Sequence, residues 1–461
     1  MVPNVQRPVC CRFAIISVLA AYAGGLAACR ADAPTASGAP VALQRVSGDG
    51  QTARPDSPLD RPLVARLVDA DGRPVRRVDV RWSVSAGTVS PEVSVTNASG
   101  DAQTVWRVGS ATGIHRATAS ADGLEPVEFI AFVDPDAVPD RIPLRALALS
   151  TYDGSGQVVH PDVTISPAIG ETARPWLAIT PYPWGNANYE NPSLFAGDGR
   201  EKWTLPDGVT NPVVRPETGY LSDPDILWID DEREFRLYYR HVATENAILL
   251  TRSSDGVHWS PPRAVVTAPN HRAVSPTVVR RAAGDWLMWT VNSGPSGCTA
   301  SSTTVELRRS GDGVEWSGPT TVSLAQAGVF AWHLEVQWIA SLREYWAMFN
   351  GKSPGSCTTD ALYLATSGDG VTWKTYPSPI LRRGAIPELE DVVYRATFSY
   401  DAQRDLVSIV HSGARYVSRG YEWHAAFERR RRTDLLEQIG RLNAAMVTPS
   451  TAPPLTNATA P

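Results

Sequence analysis

Ser253-Ser254-Asp255-Gly256-Val257-His258-Trp259 recurs as Ser310-Gly311-Asp312-Gly313-Val314-Glu315-Trp316, and again as Ser367-Gly368-Asp369-Gly370-Val371-Thr372-Trp373. A degenerate copy runs from Ala196-Gly197-Asp198-Gly199 to Trp203. Successive aspartates stand 57 residues apart each time, a regularity that chance does not produce. Asp-Gly is hairpin chemistry, because glycine takes the φ > 0 position of a tight turn without steric cost. The tryptophan three residues after the glycine can cover that turn. Each copy therefore marks one hairpin of a repeated sheet.

The flanks repeat as well. Two further strand-like runs precede each hairpin: Asp225 to Ile229 with Phe235 to Arg240, Thr277 to Arg281 with Trp286 to Asn292, and Glu335 to Ile339 with Tyr345 to Asn350. An opening unit begins at His160-Pro161-Asp162-Val163, and a closing unit runs through Asp391 to Tyr400, Leu406 to His411 and Glu422 to Arg429. Four strands per unit at this period predict propeller blades, five in number, over residues 141–432.

Composition agrees with an all-β chain. Thirty-five Gly and 37 Pro among 461 residues break long helices and suit short strands and turns. The chain is too long for one ordinary domain. Thirteen of the 15 Trp lie between Trp176 and Trp423, which separates a Trp-rich C-terminal body from the rest. A net charge of −5 argues against nucleic acid as the main partner. A helical protein, a Rossmann enzyme and a DNA binder are all poor fits.

The first 30 residues read as an export segment. Arg7 and Arg12 precede an apolar run, Phe13 to Leu26, too short to span a membrane comfortably. The run ends in Leu26-Ala27-Ala28-Cys29, which resembles a bacterial lipobox. That reading predicts lipidation of Cys29, a tether over 30–40, and a lipid-anchored monomer in a bacterial cell envelope that meets the membrane only through its lipid. Cys10 and Cys11 leave with the signal, and Cys298 and Cys357 remain as one pair in an oxidising compartment. These two occupy equivalent loops of adjacent units, six and seven residues past Asn292 and Asn350, and are predicted to form a disulfide. No CxxC or HExxH occurs and the eight His are scattered, so little supports a zinc site.

From 41 to 134, short apolar runs alternate with turn signals, the pattern of a β-sandwich. "VDADGRPVRRVDVRWSVSAGTVS" with "TNASGDAQTVWRVG" resembles bacterial Ig-like domains of the invasin type, which implies a spacer or an adhesive module. Beyond Arg429-Arg430-Arg431-Arg432, read as a solvated strand end, a short amphipathic stretch and a Thr/Pro/Ala tail fill 433–461.

The repeated hairpins and "SDPDILWIDDEREFRLYYR" resemble the five-bladed propeller glycoside hydrolases, the arabinanase/xylosidase and invertase-like families. The resemblance implies an oligo- or polysaccharide ligand and no required cofactor, with room for a structural Ca²⁺ in the channel. Aligning the inner strands on Val163, Ile226, Val278, Val336 and Val392 puts Asp162, Asp225, Thr277, Glu335 and Asp391 in one column. His160, Asp223, Ser275, His333 and Leu389 form another, two residues earlier. Converging acids repel unless protonated, paired or metal-bound, which marks them as a site; alternatively each caps its own blade. Second strands end on Thr180, Arg240, Asn292, Asn350 and His411, donors suited to a sugar, and the loop Thr180-Pro181-Tyr182-Pro183-Trp184 leads to Glu190 on the same face.

The families place an Asp base or nucleophile in the first blade, a substrate-orienting Asp in the second and a Glu acid in the third. By resemblance Asp162 takes the first role and Asp225 or Asp223 the second. The third blade reads Val274-Ser275-Pro276-Thr277, without a carboxylate, so the resemblance leaves Glu335 or Glu190 to serve as acid. A divergent hydrolase, a non-catalytic glycan-binding or adhesion protein, and a metal-stabilised scaffold all remain open.

Overall fold

The computed structural model describes residues 38–441, apart from 136, 138–139, 168–172, 199–201, 245 and 325–328. The export segment, Cys29, most of the tether, the centre of the degenerate hairpin after Asp198, and the tail beyond Arg441 lie outside the described residues. Among the described residues no helix is long and apolar enough to cross a membrane.

Strict alternation builds the N-terminal unit. Asp101–Arg107 buries Ala102, Thr104 and Trp106 and turns the residues between them outward. Two sheets result: one of Ala42–Ser47, Leu63–Val68, Asp101–Arg107 and Thr88–Ser90, the other of Gln51–Ala53, Val127–Val133, Gly113–Ser120, Asp79–Val84 and Val93–Val95. Leu63, Leu67, Trp82, Trp106 and Phe129 fill the sandwich between them.

Among the described residues the C-terminal unit is a ring of five antiparallel blades, four of them four-stranded; in the fourth blade Lys374–Thr375 and Leu381–Arg382 both pair with Thr359–Ser367 as outer strands. Their inner strands are Val158–Pro167, Tyr220–Ile229, Val274–Ala282, Phe330–Ile339 and Val392–Asp401. Each packs on the next, and the first packs on the fifth to close the circle. The closing unit supplies only three strands of blade 5. Its outermost strand is Ile142–Ala146, which precedes blade 1 in the chain and pairs with Gly420–Arg431. Only five residues long and interrupted by Pro143, that strand has no counterpart in the sequence reading.

The repeated hairpins join third to fourth strands, so they sit on the face opposite the starts of the inner strands. Asp255 accepts from the amides of Val257 and His258, both at 2.8 Å, which closes the turn. The glycine then docks on the preceding blade. Gly256 lies against Trp176, Tyr238 Oη donates to the Gly313 carbonyl at 2.7 Å, and Trp289 Nε1 donates to the Gly370 carbonyl at 2.9 Å. The repeat is therefore a staple between blades.

The arginine run is not solvated. Arg429 to Arg432 are half-buried and partnered; Arg429 donates to Ser408, Arg430 pairs with Glu428, Arg431 with Asp140 and Arg432 with Asp405. The helix that follows spans Arg432–Gln438.

Candidate functional site

All five inner strands break register at the same depth, between Val159/Asp162, Ser222/Asp225, Val274/Thr277, Ala331/Leu334 and Val393/Ala396. In the first three blades the bulge residues His160, Asp223 and Ser275 take φ of 59°, 51° and 52°, each followed by a proline that donates no ladder bond. A bulge re-aims a side chain, here toward the axis.

The next layer down the axis is a ring of strand caps. The amide of Ile226 donates to Asp162, Val278 to Asp225, Val336 to Thr277 and Val163 to Thr397. The fifth member is thus Thr397, not Asp391, and the residue above it is Arg395, not Leu389. The sequence alignment slipped because the inner strand of blade 5 begins with apolar residues, Val392 and Val393, before its bulge, and no proline marks that bulge. Asp391 instead accepts from the Tyr416 amide at 2.6 Å, away from the axis.

Asp162, Asp225 and Glu335 do converge, with carboxylate oxygens all within 4.8 Å of one another. They are buried and spoken for. Asp162 accepts from Ile226 N and from Thr397 Oγ1 at 3.0 Å, and Glu335 receives Arg395 Nη2 at 3.2 Å. Burial and mutual repulsion push Asp225 and Glu335 well above the usual carboxyl range. These acids line a channel segment of about 280 Å³ with Trp228, Arg280 and Trp338 that leads toward the hairpin face. An all-oxygen set of this kind suits a hard cation such as Ca²⁺ in ligand type, and Arg395 already supplies it with positive charge.

The upper layer carries different chemistry. His160 Nε2 lies 3.3 Å and His333 Nδ1 3.0 Å from Asp223 Oδ1, and the ligand atoms of the three residues fall within 4.8 Å of one another. His160 Nε2, both nitrogens of His333 and Asp223 Oδ1 are buried without a well-formed hydrogen bond. Buried polar atoms are ordinarily satisfied, so orphans of this chemistry that converge fit a divalent cation. Burial pushes His333 down to about 3, which keeps the imidazole neutral as a ligand requires. Burial alone would raise Asp223; the two imidazoles and Arg240 outweigh it and hold that carboxyl well below its usual range. The histidines are scattered in sequence, but the blade period brings His160 and His333 together beside Asp223.

Partners hold this layer in place. Glu190 Oε2 lies 3.2 Å from His160 Nδ1, and the His333 amide donates to Asn350 Oδ1 at 2.6 Å. Arg240 Nη1 stands 3.6 Å from Asp223 Oδ2, and its Nη2 lies 3.3 Å from His271 Nδ1. Above them opens a cavity of about 350 Å³, walled by Tyr182, Tyr220, Trp332, Tyr394, Tyr421 and Trp423. The Cys298–Cys357 disulfide forms, with Cα atoms 4.8 Å apart, and lines the same cavity.

Other candidates fall elsewhere. Asn292 donates to Glu306 and caps the turn at Gly294, and His411 pairs with Glu428 at 2.9 Å. Trp184 borders a separate cavity. Of the aromatic wall the sequence reading had only Tyr182, and it missed His271 and Arg395. A signal existed: Trp332 and Tyr394 stand immediately before the axial residues His333 and Arg395.

No family model matches the chain. It is 28% identical over 295 residues to the A type blood N-acetyl-alpha-D-galactosamine deacetylase of Flavonifractor plautii, covering 53% of this chain and 38% of that relative's length. The crystal structure of an N-acetylgalactosamine deacetylase from F. plautii, in complex with blood group B trisaccharide, superposes with a TM-score of 0.57 at 22% identity, over 65% of this chain and 97% of that one. A thermostable family-43 glycoside hydrolase superposes with a TM-score of 0.44 at 13% identity, over 59% of this chain and 89% of its own. The first of these two solved structures shares the fold over the span it covers.

Proposed function

We propose that this protein is a metal-dependent N-deacetylase of N-acetylated amino sugars in glycans. The observation that carries the reading is the His160–Asp223–His333 set, whose orphaned ligand atoms converge at the floor of an aromatic-walled cavity. The sequence likeness to a deacetylase supports it from a second direction. A two-carboxylate glycosidase is a poorer fit. Blade 3 offers Ser275 where an acid is needed, and Asp162, Asp225 and Glu335 lie a layer below the cavity, engaged as caps and with Arg395.

A divalent cation held by His160, Asp223 and His333 would supply a Lewis acid for the acetamide carbonyl and lower the pKa of water beside it. The chain's own residues do the rest. The wall of Tyr182, Tyr394 and Trp423 stacks on a pyranose ring and keeps bulk water out. Glu190 accepts the proton of the attacking water and delivers it to the departing nitrogen; the C–N bond breaks, leaving acetate and the free amino sugar. Glu190 lines the cavity beside His160, and its Oε2 also holds that ring through Nδ1. Arg240 balances the Asp223 charge from the side away from the imidazoles.

In this reading the N-terminal sandwich is a spacer, and the lipidated Cys29 holds the protein on a bacterial envelope where glycans are met. The test is direct. Purified protein should carry about one equivalent of divalent metal and release acetate from N-acetylhexosamine glycosides. Release of reducing ends without acetate would overturn the proposal in favour of glycoside hydrolysis.

A further inference from the structure

We infer that a second sugar subsite lies beside the first cavity, on the far side of the Tyr182–Glu190 loop, and holds the next residue of an oligosaccharide. The inference rests on the glycan deacetylase reading and deepens it: the substrate is an extended chain rather than a free amino sugar.

A cavity of about 500 Å³ is lined by Asp153, Ser155, Trp184, Asn186, Tyr189 and Arg419. One loop serves both cavities. Tyr182, Ala187 and Glu190 face the first, while Trp184, Asn186 and Tyr189 face the second. Tyr182 and Trp184 are two residues apart, so their Cα atoms are separated by at most about 7 Å. The two cavities therefore share this loop as a common wall, close enough for neighbouring sugars of one chain.

The chemistry is that of sugar recognition: aromatic planes with a few placed polar groups. Trp184 is half-buried, and Arg419 lies 4.8 Å from its ring centroid. Tyr189 is 40% exposed, and its carbonyl is fixed by Tyr152 Oη at 2.7 Å. Asp153 Oδ1 is buried without a hydrogen-bond partner, an acceptor suited to hydroxyls. Gln157 Oε1 accepts from the amides of both Trp184, at 3.0 Å, and Trp423, at 3.1 Å. One buried amide thus registers the second platform against the wall of the first.

The backbone adds an independent observation. Trp184 sits at φ 56°, ψ 30°, the left-handed region that bulky side chains rarely adopt. Glycine would relax the turn there.

The experiment compares full-length protein with Trp184→Gly and Asp153→Asn. Acetate release is measured from free N-acetylgalactosamine and from an oligosaccharide ending in the same residue, with melting temperatures in parallel. The parent should prefer the oligosaccharide in kcat/KM. Trp184→Gly should lower that preference about tenfold while its melting temperature holds or rises, and Asp153→Asn should lower it several-fold. An unchanged preference in both variants overturns the subsite. Should the parent deacetylate neither compound, the deacetylase reading fails, and calorimetry with the same oligosaccharide decides the subsite. Binding that Trp184→Gly weakens about tenfold supports it; binding indifferent to Trp184, or no binding, overturns it.

Discussion

Glu190→Gln separates the two tasks assigned to Glu190. The carboxylate is 4% exposed, and its Oε2 lies 3.2 Å from His160 Nδ1. Gln preserves shape and can still accept a hydrogen bond from the imidazole, but it cannot take a proton from water. Removing a general base costs about 10² to 10⁴ in rate, or about 3 to 5 kcal/mol of barrier. Losing only an orienting partner costs about 10- to 100-fold in metal affinity, and excess metal restores it. The assay is acetate release from an N-acetylgalactosamine glycoside over a Zn²⁺ titration, with bound metal quantified by elemental analysis. The proposal expects a variant that binds about one equivalent of metal and still turns over at least about 100-fold more slowly at saturating Zn²⁺. Activity within a few-fold of the parent once Zn²⁺ saturates would refute the proton-transfer role and leave Glu190 as a positioning residue.

Chelation followed by dialysis should abolish acetate release and lower the melting temperature, since a ligand bound only by the folded state stabilises it; re-addition of Zn²⁺ should restore both. Indifference to chelation would remove the cation from the mechanism. Asp162→Asn should act on stability rather than chemistry, because Asp162 accepts from Ile226 N and Thr397 Oγ1 in the ring of caps. A loss of about 1–3 kcal/mol in denaturant unfolding is expected, with turnover per folded molecule kept within several-fold; a thousandfold loss of turnover with native stability would return Asp162 to the catalytic centre. Gly370→Ala should destabilise by about 1–3 kcal/mol, because φ is +74° and the new Cβ meets the Trp289 ring at 2.8 Å. Gly311→Ala, with open space around it, is the control and should change the melting temperature little.

The propeller was legible because its staples are local in sequence. Asp-Gly turns and their tryptophans recur at one period, and the inner strands carry apolar runs that announce themselves. Blade 5 was half legible. It lacks the hairpin and the proline at the bulge, so alignment on its first apolar residue displaced the column from Thr397 to Asp391. The proposed metal set was legible only in part. His160, Asp223 and His333 stood in one column, but a motif search by short spacing cannot join residues 63 and 110 positions apart. Three-dimensional convergence at the channel mouth does that. Sequence also favoured the lower column, since four carboxylates look more like a site than two histidines and an aspartate. In the structure those carboxylates are engaged by strand caps and by Arg395, while the upper layer keeps unpartnered ligand atoms.

The strand Ile142–Ala146 makes the propeller a mechanically latched ring. Its register partners are Arg429, Phe427 and Ala426 of the last strand, so the chain arriving from the sandwich is itself the clasp. Any pull transmitted through the N-terminal unit reaches the ring at that seam before it reaches any other blade, and peeling the clasp would leave blade 5 one strand short. Truncations have the same boundary. A fragment starting at Val158 contains every residue of the upper layer yet lacks its fastener, whereas one that keeps Ile142 retains a closed circle.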